Sequence, residues 1–147
     1  MIEKESIETF LGEILEGTEI FLVEVKVDNN NRILVHVDKM DGISIEDCVR
    51  VSRALEGKLD RKQEDFALEV SSPGLDAAFK VSEQYMKSIG KKVSVNCKDG
   101  SKIYGILKEA DSHRILLEIP SPKKGGEPGR KDLDLAEILS TRLHIQF

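Results

Sequence analysis

This chain of 147 residues has no tryptophan, two cysteines and three histidines. Cys48 and Cys97 lie far apart, with no C-x-x-C motif and no nearby pair of histidines. A structural zinc site needs about four nitrogen or sulfur ligands at close spacing. We therefore expect no metal site, and we expect both thiols to be reduced and partly buried.

Long apolar runs are also lacking. A membrane-spanning helix needs about 20 mostly apolar residues, and no stretch of this sequence approaches that length. The start of the chain, MIEKESIETF, has acidic side chains where a secretory signal has a basic start and an apolar centre. Because the composition is that of a soluble globular protein, we expect a cytoplasmic location.

The usual phosphate-binding and hydrolase motifs are missing as well. The sequence contains no G-x-G-x-x-G, no G-x-x-x-x-G-K-[ST] and no G-x-S-x-G. Neighbouring carboxylates such as Glu46 and Asp47 fall at expected helix starts, where they favour the positive end of the helix dipole. We expect no catalytic residue, no cofactor and no enzymatic activity.

Charge is distributed unevenly along the chain. Residues 1–80 contain 10 Lys and Arg against 18 Asp and Glu, which gives −8, whereas residues 81–147 contain 12 against 9, which gives +3. An acidic segment repels phosphate and attracts basic proteins, so the two parts of the chain favour different partners.

The first part predicts an α/β sandwich over residues 1–80, in the order helix, strand, strand, helix, strand. Ser6 is a candidate N-cap for the first helix, which Gly17 ends. The alternating runs FLVEVKVD and ILVHVD flank three asparagines and predict a hairpin. Ser44 and Asp47 resemble a capping box at the second helix. With all helices on one face, this order makes a two-layer domain.

The second part, residues 81–147, predicts a short helix followed by many short strands. Several short strands in so small a segment favour a closed barrel, which removes exposed edges. The run V-S-V, D-G, Y-G-I-L is similar to an Sm-like barrel, in which Gly105 lets a bent strand curl. The fold class is thus α+β, with an α/β domain followed by a small Sm-like barrel.

A strand running directly into Ser-Ser-Pro-Gly raises two hypotheses. Pro73 cannot donate to a strand ladder, Gly74 tolerates turn conformations, and serine hydroxyls can bond the freed backbone, so the segment is a candidate domain joint or partner-binding surface. The alternative, a nucleophilic serine, lacks an evident base and orienting acid. The candidate residues are Ser71, Ser72, Pro73, Gly74, Leu75 and Asp76.

A second candidate surface is the Pro-, Gly- and Lys-rich segment at residues 120–132, which has no core-forming residues and is expected to be a mobile loop. It is either a solvated loop or a contact for RNA or a partner protein. The candidate basic contacts are Lys123, Lys124, Arg130 and Lys131.

Three segments resemble one known family. L-E-V-S-S-P-G-L-D at 68–76 is similar to the signature of the ribosome maturation factor RimP family, and G-I-S-I-E-D-C-V-R-V-S-R-A-L-E-G-K-L-D at 42–60 resembles its second helix. I-G-K-K-V-S-V at 89–95 is similar to the start of its second domain. The family usually continues with arginine and proline where this chain has Ala77 and Ala78.

The resemblance implies a non-enzymatic assembly factor for the bacterial small (30S) ribosomal subunit. Such a factor binds the immature subunit and helps a ribosomal protein near the decoding region to settle, the second domain making that contact. No cofactor or membrane is implied. The partners would be the small subunit, its protein and possibly ribosomal RNA, and we expect a monomer.

Two other function classes remain open. An Sm-like regulator would bind single-stranded RNA through the barrel, form rings and stack bases on aromatic side chains, of which Tyr104 and Phe147 are among the few available. A small hydrolase would use Ser71 or Ser72, and Ser→Ala variants that retain subunit binding and growth would exclude it.

Overall fold

The computed structural model describes residues 1–61 and 64–145; Phe147, an expected stacking residue, lies outside them. The chain divides into two compact units, residues 1–73 and 74–147. Over the described residues it forms three α-helices and two separate β-sheets. The predicted α+β class is therefore confirmed.

The first unit has the predicted order of elements. Its three strands form one sheet in the order β1-β2-β3, in which β1 pairs with β2 antiparallel and β2 pairs with β3 parallel. The hairpin turns at Asn31, whose φ of 55° is a conformation that asparagine tolerates. The elements are α1 (Lys4–Leu15), β1 (Phe21–Val27), β2 (Arg32–Asp38), α2 (Ile45–Lys58) and β3 (Ala67–Ser71).

The core of this unit lies on one side of its sheet. Along β2, Ile33, Val35 and Val37 are buried while the residues between them are partly exposed. Leu11 of α1 and Leu55 of α2 belong to the same buried cluster. Both helices therefore pack on the same face of the sheet, and no described helix or strand of this unit covers the opposite face.

One local prediction is wrong: α1 begins at Lys4 with Glu3 as its N-cap, so Ser6 lies inside the helix. A serine at the start of an amphipathic pattern is a common cap, but here the helix extends a turn further. The first amide groups are not capped by a side chain, although Ile7 N–H bonds to Glu3 O.

The start of α2 is fixed by a buried carboxylate, Asp47, which is 3% exposed. Ser44 N–H donates to Asp47 Oδ2 (3.1 Å), and Asp47 N–H donates to Ser44 Oγ (3.1 Å), which completes the predicted capping box. Lys39 Nζ lies 3.1 Å from Oδ2, and Arg50 binds Oδ1. The Ser44 amide, followed by the Lys39 ammonium, lowers the pKa of Asp47 to about 2.

The second unit contains α3 (Ser82–Lys87) and a five-stranded sheet in the order β7-β6-β5-β4-β8. Over the described residues this sheet is open, with β7 and β8 at its edges, so the closed barrel is not confirmed. The loop prediction is wrong for residues 129–132, which belong to β7. The strands are β4 (Lys92–Cys97), β5 (Lys102–Ala110), β6 (Arg114–Ile119), β7 (Gly129–Asp134) and β8 (Ile138–Leu143).

Gly105 lies inside β5, as the sequence predicts, at a point where β6 approaches closely. A Cβ added there would lie 2.8 Å from Glu118 O and 3.4 Å from Leu117 Cβ. Real Cβ atoms do not approach a backbone oxygen so closely, so the close approach of β5 to β6 depends on the missing side chain.

We expect Gly105→Ala to destabilise the protein by roughly 1–3 kcal/mol, the usual cost of overpacking a closely packed site. Chemical denaturation followed by circular dichroism measures the change. The matched control is Gly129→Ala in the same sheet, where an added Cβ meets nothing within 4 Å. Equal stability of the two variants would contradict the close approach.

Asp47 predicts a specific dependence of stability on pH. Because folding lowers its pKa from 3.8 to about 2, its carboxylate stabilises the fold fully above the unfolded value, and this contribution is lost as pH falls toward the folded value. We expect Asp47→Asn to be less stable than wild type at neutral pH, with the difference shrinking between about pH 4 and pH 2. Urea denaturation across this range measures it. Asp41→Asn, at an exposed position, should show no such convergence; a constant Asp47→Asn deficit would contradict the assignment.

Candidate partner-binding surfaces

The serine, proline and glycine segment spans the division between the two units, so its halves belong to different structures. Ser71 is the last residue of β3 and pairs with His36 of β2, while Ser72 is exposed and Pro73 half-buried. The strand ends directly before the proline, as its missing N–H requires. In the described part of the chain, neither serine hydroxyl makes the predicted bond to a backbone group.

In the second unit the segment continues as a tight turn. Ala77 N–H donates to Gly74 O (3.0 Å), and Arg142 Nη1 donates to Asp76 O (3.3 Å). Gly74 does not adopt a positive φ, so the expected conformational need for glycine is absent there. Leu75 and Asp76 are exposed. With alanine at positions 77 and 78, the turn is closed by the hydrogen bond from Ala77 to Gly74, and Arg142 of β8 lies beside it.

The structure aligns Glu24, His36 and Ser71 side by side across β1, β2 and β3. His36 Nδ1 lies 3.8 Å from Glu24 Oε2, an acid that sequence reasoning did not place beside it, but this distance is too long for the hydrogen bond that would orient the ring. A nucleophilic serine also needs a hydrogen bond to the base, and within the described residues His36 and Ser71 share none. Glu24, His36 and Ser71 therefore do not form an activated nucleophile of the kind that the hydrolase hypothesis requires. The absence of catalysis stays a prediction.

The four basic candidates do not form one patch. Lys123 and Lys124 lie in the exposed loop before β7, where Lys123 N–H bonds to Ser121 Oγ (3.1 Å). Arg130 and Lys131 are consecutive residues of β7 and point to opposite faces of the sheet. A single ligand on one face of β7 would therefore meet one of these two cations.

Two acidic residues of the first unit, Glu64 and Asp65, are engaged within the fold. Glu64 binds the N-terminal ammonium (2.6 Å) and Asn31 Nδ2 (3.3 Å). Asp65 accepts from Arg61 Nη1 and from Phe66 N–H (both 3.0 Å). Charge reversal at these two positions would disturb the first unit itself, so they are poor probes of a binding surface.

Sequence reasoning missed an exposed apolar patch at the start of α2, which we call the α2 patch. It consists of Ile45 and Val49, which are 82% and 40% exposed; Met40, 52% exposed, lies in the turn before the helix. Ile45 and Val49 are one helical turn apart and lie off the buried stripe of Val51 and Leu55. The signal in the sequence was the presence of two apolar residues outside that stripe. Exposed apolar side chains grouped in this way are typical of protein contact sites.

Two kinds of site have no representative in the described structure. Among those residues no group of three or more His, Cys, Asp or Glu side chains is arranged to hold a metal ion. No helix there is long and apolar enough to cross a membrane.

The chain is similar to known proteins over most of its length. Residues 10–76 match the model of the RimP N-terminal domain family. The chain is 37% identical over 138 residues to a protein of Porphyromonas gingivalis named ribosome maturation factor RimP, covering 94% of this chain and 91% of that one. Proteins of the same name from Christiangramia forsetii and Flavobacterium psychrophilum are 32% identical, covering 98% and 86% of this chain and 99% and 84% of theirs.

Proposed function

The chain belongs to the family of the ribosome maturation factor RimP, and we propose that it is a non-enzymatic assembly factor for the small (30S) ribosomal subunit. In this proposal it binds the immature subunit and helps a ribosomal protein to be incorporated. The observation that carries the proposal is the 37% identity to a named maturation factor over nearly the full length of both chains.

The charge of the first unit supports a basic protein partner. Residues 1–73 have a net charge of −8, and residues 74–147 have +3. Electrostatic complementarity speeds the encounter of oppositely charged surfaces and disfavours wrong partners. The first unit therefore suits a basic ribosomal protein better than the phosphate backbone of RNA, which requires cations.

The α2 patch supplies the apolar surface that such a contact needs. Asp41 and Glu46 lie near its side chains in sequence, and both are exposed. An apolar centre with a charged rim is the usual arrangement of a protein interface. The family resemblance implies protein contact by the second unit. The proposal assigns protein contact to the first unit as well.

The remaining parts of the proposal follow from this role. A factor that acts by binding needs no cofactor and no catalytic residue, and it works in the cytoplasm, where bacterial ribosomes are assembled. We propose that it acts as a monomer. The segment at residues 71–76 is retained as a domain joint or partner-binding surface.

Sucrose-gradient fractionation of cell lysate tests the function. We expect the protein to migrate with free small subunits and to be absent from complete ribosomes, because an assembly factor leaves before translation. Migration solely with light, unassembled material would contradict the proposal.

The α2 patch makes a second test in the same gradient. We expect the double variant Ile45→Ala, Val49→Ala to shift from small-subunit fractions toward free protein, since truncating apolar anchors commonly weakens an interface more than tenfold. Both residues are exposed and alanine favours helices, so stability should change little.

Met86→Ala is the matched control for the patch, because Met86 is an exposed apolar residue on α3 of the second unit. It should migrate as wild type does. If the double variant also migrates as wild type while its thermal unfolding is unchanged, the α2 patch has no part in subunit binding.

A further inference from the structure

The outer face of the second sheet has an unusual set of side chains. In β4, β5 and β8 the core residues alternate with residues that face outward. None of these outward residues is acidic within 92–96, 102–106 and 140–142. We call this the electropositive face. Its members are Lys92, Ser94, Asn96, Lys102, Tyr104, Ile106, Ser140, Arg142 and the following His144.

Strand register brings these side chains together. Tyr104 and Arg142 lie on either side of Ser94, and Lys102 and Ser140 lie on either side of Asn96. Paired residues on neighbouring strands have Cβ atoms about 5 Å apart. The three strands therefore contribute side chains to one face, in which Ser94 is buried between its two neighbours while Lys92 and Asn96 are partly exposed.

Tyr104 stands on β5, beside the middle strand of this face, and is 45% exposed. Lys102 Nζ lies 5.4 Å from the centroid of its ring, and the His144 ring contacts it edge-on with centroids 5.1 Å apart. Two neighbours thus hold the ring in place, and an exposed ring held in place is a platform on which a nucleotide base can stack.

The charges around Tyr104 are available to a ligand. Lys102 and Arg142 are exposed, and Arg142 donates to a backbone oxygen, that of Asp76, rather than to a carboxylate. Glu118 of β6 is paired with Ile106 of β5, and its carboxylate lies 3.4 Å from Lys108 Nζ. Because neither Lys102 nor Arg142 forms an ion pair with a carboxylate among the described residues, both can bind an anionic partner.

We propose that the electropositive face binds single-stranded RNA, with a base stacked on Tyr104 and phosphates contacted by Lys92, Lys102 and Arg142. Asn96 and Ser140, which are joined by a 3.2 Å hydrogen bond, offer polar groups to bases or sugars. Interfaces with nucleic acids are more polar and more positive than those with proteins. The exposed or half-buried apolar side chains on or beside this face are Tyr104, Ile106 and Leu139, and the other members of the face are polar or charged.

Fluorescence anisotropy of a labelled oligouridylate of about 12 nucleotides, a length typical of single-stranded sites, tests the inference with the full-length chain. Wild type should bind saturably, and log Kd should rise with log salt with a slope of about 2, as expected for three phosphate contacts on a single strand. An RNA duplex should bind more weakly because its bases are not free to stack. No saturable binding at about 50 mM salt would overturn the inference.

Tyr104 variants separate stacking from charge. Tyr104→Ala should weaken binding about tenfold or more, the usual effect of losing one stacked base, whereas Tyr104→Phe should bind as wild type does. If Tyr104→Ala retains wild-type affinity and folds normally by circular dichroism, stacking on this face is excluded.

Charge variants separate this face from the rest of the surface. Lys102→Ala should lower the salt slope by about 0.7, while Lys4→Ala, which removes an equal charge from α1, should leave binding unchanged. Equal losses in both variants would assign binding to net charge and overturn the inference. So would binding of an acidic peptide, polyglutamate, with the same dependence on Tyr104 and Lys102, because it would assign the face to a protein.

The assay contains no ribosome, so its result is independent of the proposed function. Migration of wild type with small subunits combined with no oligonucleotide binding would overturn this inference alone. Oligonucleotide binding without migration in small-subunit fractions would overturn the proposed function and leave the electropositive face in place.

Discussion

Both units depend on the same constraint, which is that each sheet buries one face against its own core. In β2 every second residue is buried, and in β4 the valines at 93 and 95 and Cys97 point inward. A period of two then sends the remaining side chains to the opposite face whatever their chemistry. The row of Glu24, His36 and Ser71 and the electropositive face both result from this alternation. The core therefore determines where partner-binding side chains can stand, and the outward residues determine what they bind.

Periodicity allowed much of this to be predicted from the sequence. The order of elements in the first unit, the turn at Asn31 and the capping box of Ser44 and Asp47 follow from local patterns, and the structure has them. Gly105 was predicted from its position inside a strand, and the approach of Glu118 O gives the physical reason. Apart from Gly105, whose reason lies on the neighbouring strand, these features succeed because each is decided by neighbours in sequence.

Apart from the N-cap of α1, the failures concern features that distant residues decide. Residues 129–132 look like a loop because they lack core-forming side chains, yet pairing with β6 makes them a strand. Closure of a barrel depends on whether two edge strands meet, which no local pattern reports. The α2 patch and the electropositive face each require knowledge of which residues the fold leaves uncovered. Even the row of Glu24, His36 and Ser71 needed strand register, since these residues are far apart in sequence.

The charges of the first unit show why net charge alone is a poor guide to binding. Asp47 is held by Lys39, Arg50 and an amide, and Glu64 by the chain's own N-terminus, so these carboxylates stabilise the fold rather than attract a partner. At physiological ionic strength a charge more than about 8 Å away is largely screened. A ligand therefore responds to the charges within a few residues of it, and the −8 of residues 1–73 affects chiefly the rate of encounter. An acidic protein can thus hold RNA on a face whose own charges are all positive, because affinity is set locally.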